Sequence, residues 1–389
     1  MERLYAFMQR MLKQTPMAFT RSADGEIGWS GRMFGIVGPR GVGKSTLVLQ
    51  RIKRQHSQRD TLYVSADNMY FGDHTLYDTA EAFVVQGGGH LFIDEVHKYG
   101  NWSQELKMMY DALPNLQVCF TGSSVLDITS GWADLSRRAP LYTMQGLSFR
   151  EYLAIAHGVT LPACTLEDIV EQRVEIGAVE HPVPLFKDYL KRGYYPFGRE
   201  DAFEIELDQV ISQTLEVDIP QFAGMTFATG QKLKQLMAIV STLAPFKPNA
   251  TQLASQIGIS RNSLEDYLGY MEKAGMVARL RQLPKGLGAL GKVEKVYLDN
   301  TNILYNLSSG REDIGSVRET FFLNQVRRVH EVYASPAADF LVDGMTFEVG
   351  GKGKTGKQVK GLDSAYIVKD DIEYGYGNVV PLWAFGLLY

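Results

Sequence analysis

The sequence predicts an α/β fold that begins with a parallel sheet covered by helices on both faces. A glycine-rich loop at 38–46 lies between a short apolar run and an amphipathic helical pattern. A second apolar run, from His90, ends in two adjacent carboxylates, and strand-like runs at 61–65 and 116–121 alternate with helical patterns. Such alternation is typical of parallel sheets.

Length and composition bound the class of protein. The chain has 389 residues, enough for two or three domains, and 45% of them are hydrophobic, as expected for folded cores. Its formal charge of −4 gives no overall field that would attract nucleic acid. Cys119 and Cys164 stand far apart, which indicates neither a disulfide framework nor a zinc site.

No segment predicts a membrane span or an export signal. The first 15 residues have helical spacing without a continuous apolar core, so we expect a helix that docks on the protein. The late apolar run at 379–389 is about half of a span and contains Pro381. We therefore expect a cytoplasmic protein with no membrane partner.

The glycine-rich loop predicts a nucleotide site. Its backbone amides and the start of the following helix would face a polyphosphate, Lys44 would neutralise the β- and γ-phosphates, and Ser45 would be a ligand of Mg²⁺. The alternative is a chance glycine-rich turn. The residues predicted to contact the nucleotide are Gly38, Pro39, Arg40, Gly41, Val42, Gly43, Lys44, Ser45 and Thr46.

The two carboxylates complete the predicted site. Asp94 would hold Mg²⁺ through water, and Glu95 would polarise the attacking water. An acidic strand end facing solvent is the alternative, which the loop upstream disfavours. Asp94 and Glu95 also begin a DExH sequence like that of helicases, but no second strand-rich ATPase half follows residue 150.

Two further groups of polar residues could act on the phosphates. The run at 116–121 leads into TGSS, where Thr121, Ser123 or Ser124 could reach the γ-phosphate or the water; we select Ser123 over a simple turn residue. Arg137 and Arg138 could supply positive charge to the transition state, in their own chain or in a neighbouring subunit, or be a surface pair.

Taken together, these motifs resemble those of a known family. The loop, the two carboxylates, TGSS, the arginine pair, GLSFREYL at 146–153 and GYYPF at 193–197 are similar to prokaryotic AAA-type ATPases with a winged helix and a restriction-endonuclease-like C-terminal domain. The resemblance runs over nearly the whole chain and is strongest before residue 155. It implies ATP or ADP with Mg²⁺ as ligands, ATP hydrolysis, and a helical lid region at 151–230.

Residues 231–305 predict a winged helix-turn-helix domain. Helical patterns at 250–258 and 260–274 flank a short turn, and strand-like runs at 277–283 and 293–298 are joined by the glycine-rich KGLGALGK. Basic residues concentrate in this wing against the single acid Glu294, so DNA contact is one interpretation and a packing module is the other. The wing cations are Arg279, Arg281, Lys285, Lys292 and Lys295.

Residues 306–389 predict a small α/β domain. With Asp343-Gly344 as a two-residue hairpin loop, Val342 opposes Met345, Phe340 opposes Phe347, and Asp339 opposes Glu348. The last pair would lie about 5 Å apart, close enough to share a divalent cation. The resemblance adds Glu319 as a third acid, but Gly350 stands where the nucleases of this fold have a lysine, so an inert fold is the alternative to cleavage.

The predicted organisation is therefore an ATPase core at 1–150, a lid at 151–230, a winged helix at 231–305 and an endonuclease-like domain at 306–389. The favoured function is ATP hydrolysis coupled to a conformational change. The alternatives are a nucleotide-gated switch acting on DNA or a protein, and a metal-dependent nuclease controlled by ATP. Assembly into a homo-oligomer stays open.

Overall fold

A computed structural model describes residues 1–57, 59–123, 135–177, 179–284, 291–308 and 310–389. The chain forms two compact units, one of residues Met1–Gly146 with Gln221–Gly224 and one of Leu147–Pro220 with Met225–Tyr389. The finer division into four domains stays a prediction. Among the helices in these ranges, none combines the length and the apolar character needed to cross a membrane.

The first unit is built around a five-stranded parallel sheet of order β2-β3-β4-β1-β5. Its strands are β1 (Met33–Gly38), β2 (Thr61–Ser65), β3 (His90–Asp94), β4 (Gln117–Ser123) and β5 (Leu141–Thr143). Its helices are α1 (Glu2–Gln14), α2 (Lys44–Gln55), α3 (Leu76–Val85) and α4 (Trp102–Ala112).

The predicted α/β class of this unit is confirmed, with a parallel sheet and alternating helices. Strands β1 to β4 are almost entirely buried, as expected for a sheet with helices on both faces. Helix α1 buries Leu4, Met8 and Leu12, the four-residue spacing that places side chains on one helix face.

The second unit contains a mixed seven-stranded sheet of order β12-β11-β10-β9-β8-β6-β7. Its strands are β6 (Val277–Gln282), β7 (Val293–Leu298), β8 (Val332–Ala334), β9 (Phe340–Val342), β10 (Met345–Gly350), β11 (Ala365–Lys369) and β12 (Val379–Pro381). Its helices are α5 (Phe149–His157), α6 (Leu166–Val170), α7 (Pro182–Arg192), α8 (Phe203–Gln213), α9 (Ile219–Phe222, whose last two residues belong to the first unit), α10 (Phe227–Leu243), α11 (Ala250–Gln256), α12 (Arg261–Lys273), α13 (Thr301–Ser308) and α14 (Ile314–Val326).

One sheet joins the predicted winged helix to the predicted C-terminal domain. Helices α11 and α12 and the antiparallel strands β6 and β7 lie where the sequence predicts them. Strand β6, however, also pairs in parallel with β8, with Arg281 opposite Tyr333. Strands on both sides of the predicted boundary at residue 305 thus share backbone hydrogen bonds, which is why they belong to one compact unit.

The predicted lid region packs into the same unit through buried aromatic rings. Phe186 and Tyr189 of α7 contact Phe321 of α14, with ring centroids 4.7 and 5.9 Å apart. The Asn302 side chain donates to the Tyr189 and Leu190 carbonyls and accepts from the Tyr194 backbone amide. The GYYPF segment is therefore an internal anchor of the second unit.

Candidate nucleotide site

The glycine-rich loop leaves β1 at Gly38 and enters α2 at Lys44. Gly41 and Gly43 have φ angles of +82° and +95°, in the left-handed region that glycine adopts without strain. Gly43 is the residue that precedes α2 and has no side chain to cap the helix, so the first amides of the helix stay available to a ligand. The loop is thus shaped to receive an anion at the helix start.

Gly38 has a different reason to be glycine. A Cβ atom at this position would lie 2.0 Å from the Met144 carbonyl oxygen. The Met144 amide in turn donates to the Val37 carbonyl at 2.7 Å. The missing side chain therefore makes room for the chain that follows β5, and close approach to a phosphate is not required to explain this residue.

The loop lysine turns back onto the loop itself. The Lys44 ammonium donates to the Gly38 and Pro39 carbonyl oxygens at 2.9 and 2.8 Å. Ser45 and Thr46 follow in the first turn of α2 and are half-buried. The ammonium and the first helical turn therefore border the same loop, as a polyphosphate site requires.

The sheet order brings the loop and the carboxylates to one edge. Strand β4 lies between β3 and β1, and Gly38 at the end of β1 is opposite Ser123 at the end of β4. Because all three strands are parallel, Asp94 at the end of β3 belongs to the same carboxyl edge as the loop. Ligands of such sheets bind outside this edge.

Asp94 is buried, with 6% of its surface exposed, and each of its carboxylate oxygens accepts a hydrogen bond from a hydroxyl group. Tyr63 donates to Oδ2 at 2.7 Å, and Thr121 donates to Oδ1. Burial and the nearby Asp94 raise the pKa of Tyr63, so its hydroxyl keeps its proton and acts as a donor. Asp94 is therefore held in a fixed orientation.

Glu95 adopts a left-handed backbone conformation, with φ +51° and ψ +43°. A non-glycine residue adopts it at a cost that tertiary contacts must offset. One such contact is the hydrogen bond from the Glu95 amide to the Thr121 hydroxyl oxygen at 3.1 Å. Burial and the neighbouring Asp94 raise the pKa of Glu95, whereas Arg40 and Lys98 act in the opposite direction.

The structure brings Thr121, rather than Ser123, into contact with both carboxylate residues. The backbone amide of Ser123 donates to His97 Nδ1 at 3.4 Å, and both residues are buried. Ser124 lies outside the described residues. In the sequence, Thr121 and Ser123 both lie at the end of an apolar run. Only the pairing of β4 with β3 shows which of the two hydroxyl groups contacts Asp94 and Glu95.

The arginine pair precedes β5, on the side of the sheet where the strands begin, whereas the loop lies where they end. The Pro140 carbonyl accepts from the Gly35 amide, and β5 starts opposite that glycine, in the middle of β1. Arg138 forms an ion pair with Asp111 near the end of α4, with Nε and Oδ1 3.1 Å apart. Arg137 is exposed. Within one chain, Arg138 is thus paired away from the loop.

The predicted hairpin at 340–347 is confirmed, including its register. Val342 pairs with Met345 and Phe340 with Phe347, while Asp343 and Gly344 both have positive φ angles. Asp339 precedes the paired residues, and its Oδ2 atom accepts from the amide of Val349, the residue after Glu348, at 2.9 Å. The pairing of Asp339 with Glu348 stays a prediction.

Lysines, however, approach each of these acids. Lys354 Nζ lies 3.0 Å from Glu348 Oε1, and Lys295 Nζ lies 2.9 Å from Glu319 and 3.6 Å from Asp339. A side chain on Gly350 would collide with Lys354, at 2.7 Å from its Cδ atom. In the part of the chain that is described, no group of three or more metal-ligating side chains is present. Each of the three acids thus has a lysine partner, and a divalent cation shared by Asp339 and Glu348 stays a prediction.

Acidic partners also occupy most of the wing cations. Arg279 and Arg281 both pair with Glu272, at 2.7 and 2.9 Å. Lys295 faces Glu319, and Lys285 lies outside the described residues. Lys292 is exposed. The charge that suggested DNA contact is therefore largely neutralised within the second unit.

Comparison with known proteins supports the interpretation of the first unit. Residues 30–153 match a family model described as an AAA domain, and residues 183–313 match a domain of unknown function, DUF8612. No curated protein matches the sequence. The AAA match covers the glycine-rich loop, both carboxylates and Thr121.

Two solved structures are similar to the chain at a low level. C. elegans PCH-2 has 12% identity and a TM-score of 0.26, over 70% of this chain and 67% of that one. The S. cerevisiae Hsp104-ADP complex has 18% identity and a TM-score of 0.28, over 70% of this chain and 40% of that one. This chain thus matches less than half of the Hsp104 chain.

Proposed function

From the AAA domain matched at residues 30–153, we propose that the chain binds ATP at the glycine-rich loop, hydrolyses it, and couples hydrolysis to a conformational change. The observation that supports this most strongly is the placement of Glu95. Its amide and the Asp94 carboxylate share one hydroxyl group, that of Thr121, at the sheet edge that also bears the loop. Two adjacent acids are thereby fixed next to a phosphate-binding loop.

The residues have distinct roles in this proposal. The loop amides and Lys44 hold the β- and γ-phosphates. Ser45 and Asp94 offer the hard oxygen donors that suit Mg²⁺, which when bound neutralises charge on the phosphate oxygens. Glu95 orients the attacking water and accepts its proton, and its raised pKa makes it a stronger base than a solvated glutamate.

Calorimetry with ADP and with a nonhydrolysable ATP analogue tests the binding step. Lys44→Ala should show no heat of binding, whereas Lys53→Ala, in the same helix, should bind as the wild type does. Glu95→Gln should bind both nucleotides and lose turnover by about a hundredfold or more, because the amide cannot accept the proton. Absence of binding by folded wild-type protein would contradict the proposal.

The position of the arginine pair favours a second candidate, a nucleotide-gated switch with slow hydrolysis. Arg138 is bound to Asp111 toward the far edge of the sheet, so transition-state charge from this pair would have to reach another subunit. A basal turnover far below one per second that rises in a homo-oligomer or with DNA would identify the switch. Light scattering in ADP and in the ATP analogue, beside ATPase assays with and without DNA, distinguishes it from a constitutive motor.

A further inference from the structure

Arg21 is a buried arginine outside the motifs that define the nucleotide site. Only 8% of its surface is exposed, and it precedes a short 3₁₀ turn at Ser22–Gly25. Its guanidinium donates to the Val42 carbonyl at 2.6 Å. It also donates to the Gln145 and Gly146 carbonyls at 2.7 and 2.8 Å. One side chain thus connects the glycine-rich loop with the last residues of the first unit before residue 147.

The contact with Val42 fixes the orientation of a peptide group in the loop. In a planar trans peptide, the carbonyl and the amide of the next residue point in opposite directions. Because Arg21 holds the Val42 carbonyl on its own side, the Gly43 amide points to the other side of that peptide plane. The φ angle of +95° at Gly43 leaves this peptide to be oriented by tertiary contacts, since glycine itself imposes little preference.

We infer that Arg21 is a positioning residue of the nucleotide site, which aims the Gly43 amide at the phosphate-binding side of the loop. This inference rests on the proposed function. Arg21 touches no phosphate in this role and acts through the Val42–Gly43 peptide. Preorganised amides bind an anion without first having to reorient, so the contact should favour phosphate binding.

A guanidinium suits this task better than an ammonium. Its planar fork presents five N–H donors in fixed directions, and three carbonyl oxygens can be held at once. A lysine would keep the charge but lose the fixed geometry. The same three contacts link the loop to Gly146. A conformational change in the loop should therefore alter residues 145–146, and by thermodynamic linkage a change at 145–146 should alter the loop.

The test compares ADP affinity, measured by calorimetry, in the wild type and three variants. Arg21→Met should raise the Kd for ADP by about tenfold or more, and Arg21→Lys should give a smaller increase. Arg32→Met is the matched control, because Arg32 also donates to a carbonyl, that of Tyr110, and is not in contact with the loop. It should bind ADP as the wild type does.

Two further measurements separate positioning from a general structural role. Guanidinium chloride at millimolar concentration should restore ADP affinity to Arg21→Ala and should not change that of Arg32→Met. Hydrogen exchange without nucleotide should accelerate in Arg21→Lys at 38–46 and 141–148 while the helices of the first unit stay protected.

The outcomes are distinct. If the wild type binds ADP and both Arg21→Lys and a folded Arg21→Met bind it equally well, this inference is wrong and the proposed function stands. If Arg21→Met does not fold, the test rests on Arg21→Lys. The inference is then overturned if Arg21→Lys binds ADP as tightly as the wild type and its loop exchanges hydrogen at the wild-type rate. If the wild type binds no ADP, the proposed function itself fails.

Discussion

Thr121 donates a hydrogen bond to the Asp94 carboxylate and, through the same oxygen, accepts one from the amide of the next residue, Glu95. The Thr121 hydroxyl therefore holds one oxygen of the Asp94 carboxylate and the backbone of Glu95. Its position two residues before the end of β4 places it beside β3, where the acids emerge.

Removing this hydroxyl should slow catalysis more than it weakens binding. Thr121→Val keeps the side-chain shape and loses both hydrogen bonds, so kcat should fall by about ten- to a hundredfold as Glu95 loses its alignment. The KM for ATP should change little. Steady-state ATPase kinetics measure both, with Ser123→Ala as the matched control. A larger loss in Ser123→Ala would support the sequence-based choice of that serine.

Acidification should inhibit turnover earlier than an ordinary glutamate would. The pKa of Glu95 is raised, and a general base works only in its ionised form, so activity is lost as pH falls through this raised pKa. Arg40 favours the ionised form, so Arg40→Met should move the acidic limb to still higher pH. Profiles of kcat against pH test this, with Arg10→Met on the exposed face of α1 as control. If the acidic limb of the profile does not move in Arg40→Met, the ionisation of a group other than Glu95 controls it.

Gly38→Ala should disrupt the loop through packing. The added Cβ would meet the Met144 carbonyl oxygen, a backbone atom that cannot rotate away, so about 1–3 kcal/mol of stability should be lost. Nucleotide affinity should fall with it because the loop shifts. Gly25→Ala is the control, since nothing lies within 4 Å of its added Cβ. Equal melting temperatures for the two variants would show that the backbone at Met144 can move aside at little cost in stability.

Arg327→Leu should strongly destabilise the second unit. Arg327 pairs with the carboxylate of Asp299, which is 3% exposed, so its removal leaves a buried charge without its cation. The expected loss is about 3–5 kcal/mol in the free energy of unfolding, measured in urea. Asp299→Asn in the same chain should recover part of it. Arg173→Leu, which removes an exposed ion pair with Asp168, should cost far less.

Local patterns account for the parts of the fold that the sequence predicts. The hairpin register follows from Asp343 and Gly344, because a two-residue turn with positive φ angles leaves only one pairing of the flanking strands. The glycine-rich loop and the two acids are likewise contiguous in the sequence. Each of these features is specified by residues within a few positions of one another.

Contacts between distant residues account for what the sequence does not predict. Arg21 meets Gly146 across 125 positions, and no local pattern marks it as part of the site. The ion pairs of Asp339 with Lys295 and of Glu348 with Lys354 join residues that hairpin counting does not relate. The choice between Thr121 and Ser123 depends on the neighbouring strand in the same way.

The pairing of β6 with β8 determines where the chain can be divided for study. A fragment ending near residue 305 would leave the outer edge of β6 without its partner, and exposed edges of this kind pair with other molecules and aggregate. A fragment beginning there would lose two of the seven strands from the same sheet. Soluble fragments should instead be designed by separating the first unit, which contains β1 to β5, from the second unit, which contains β6 to β12.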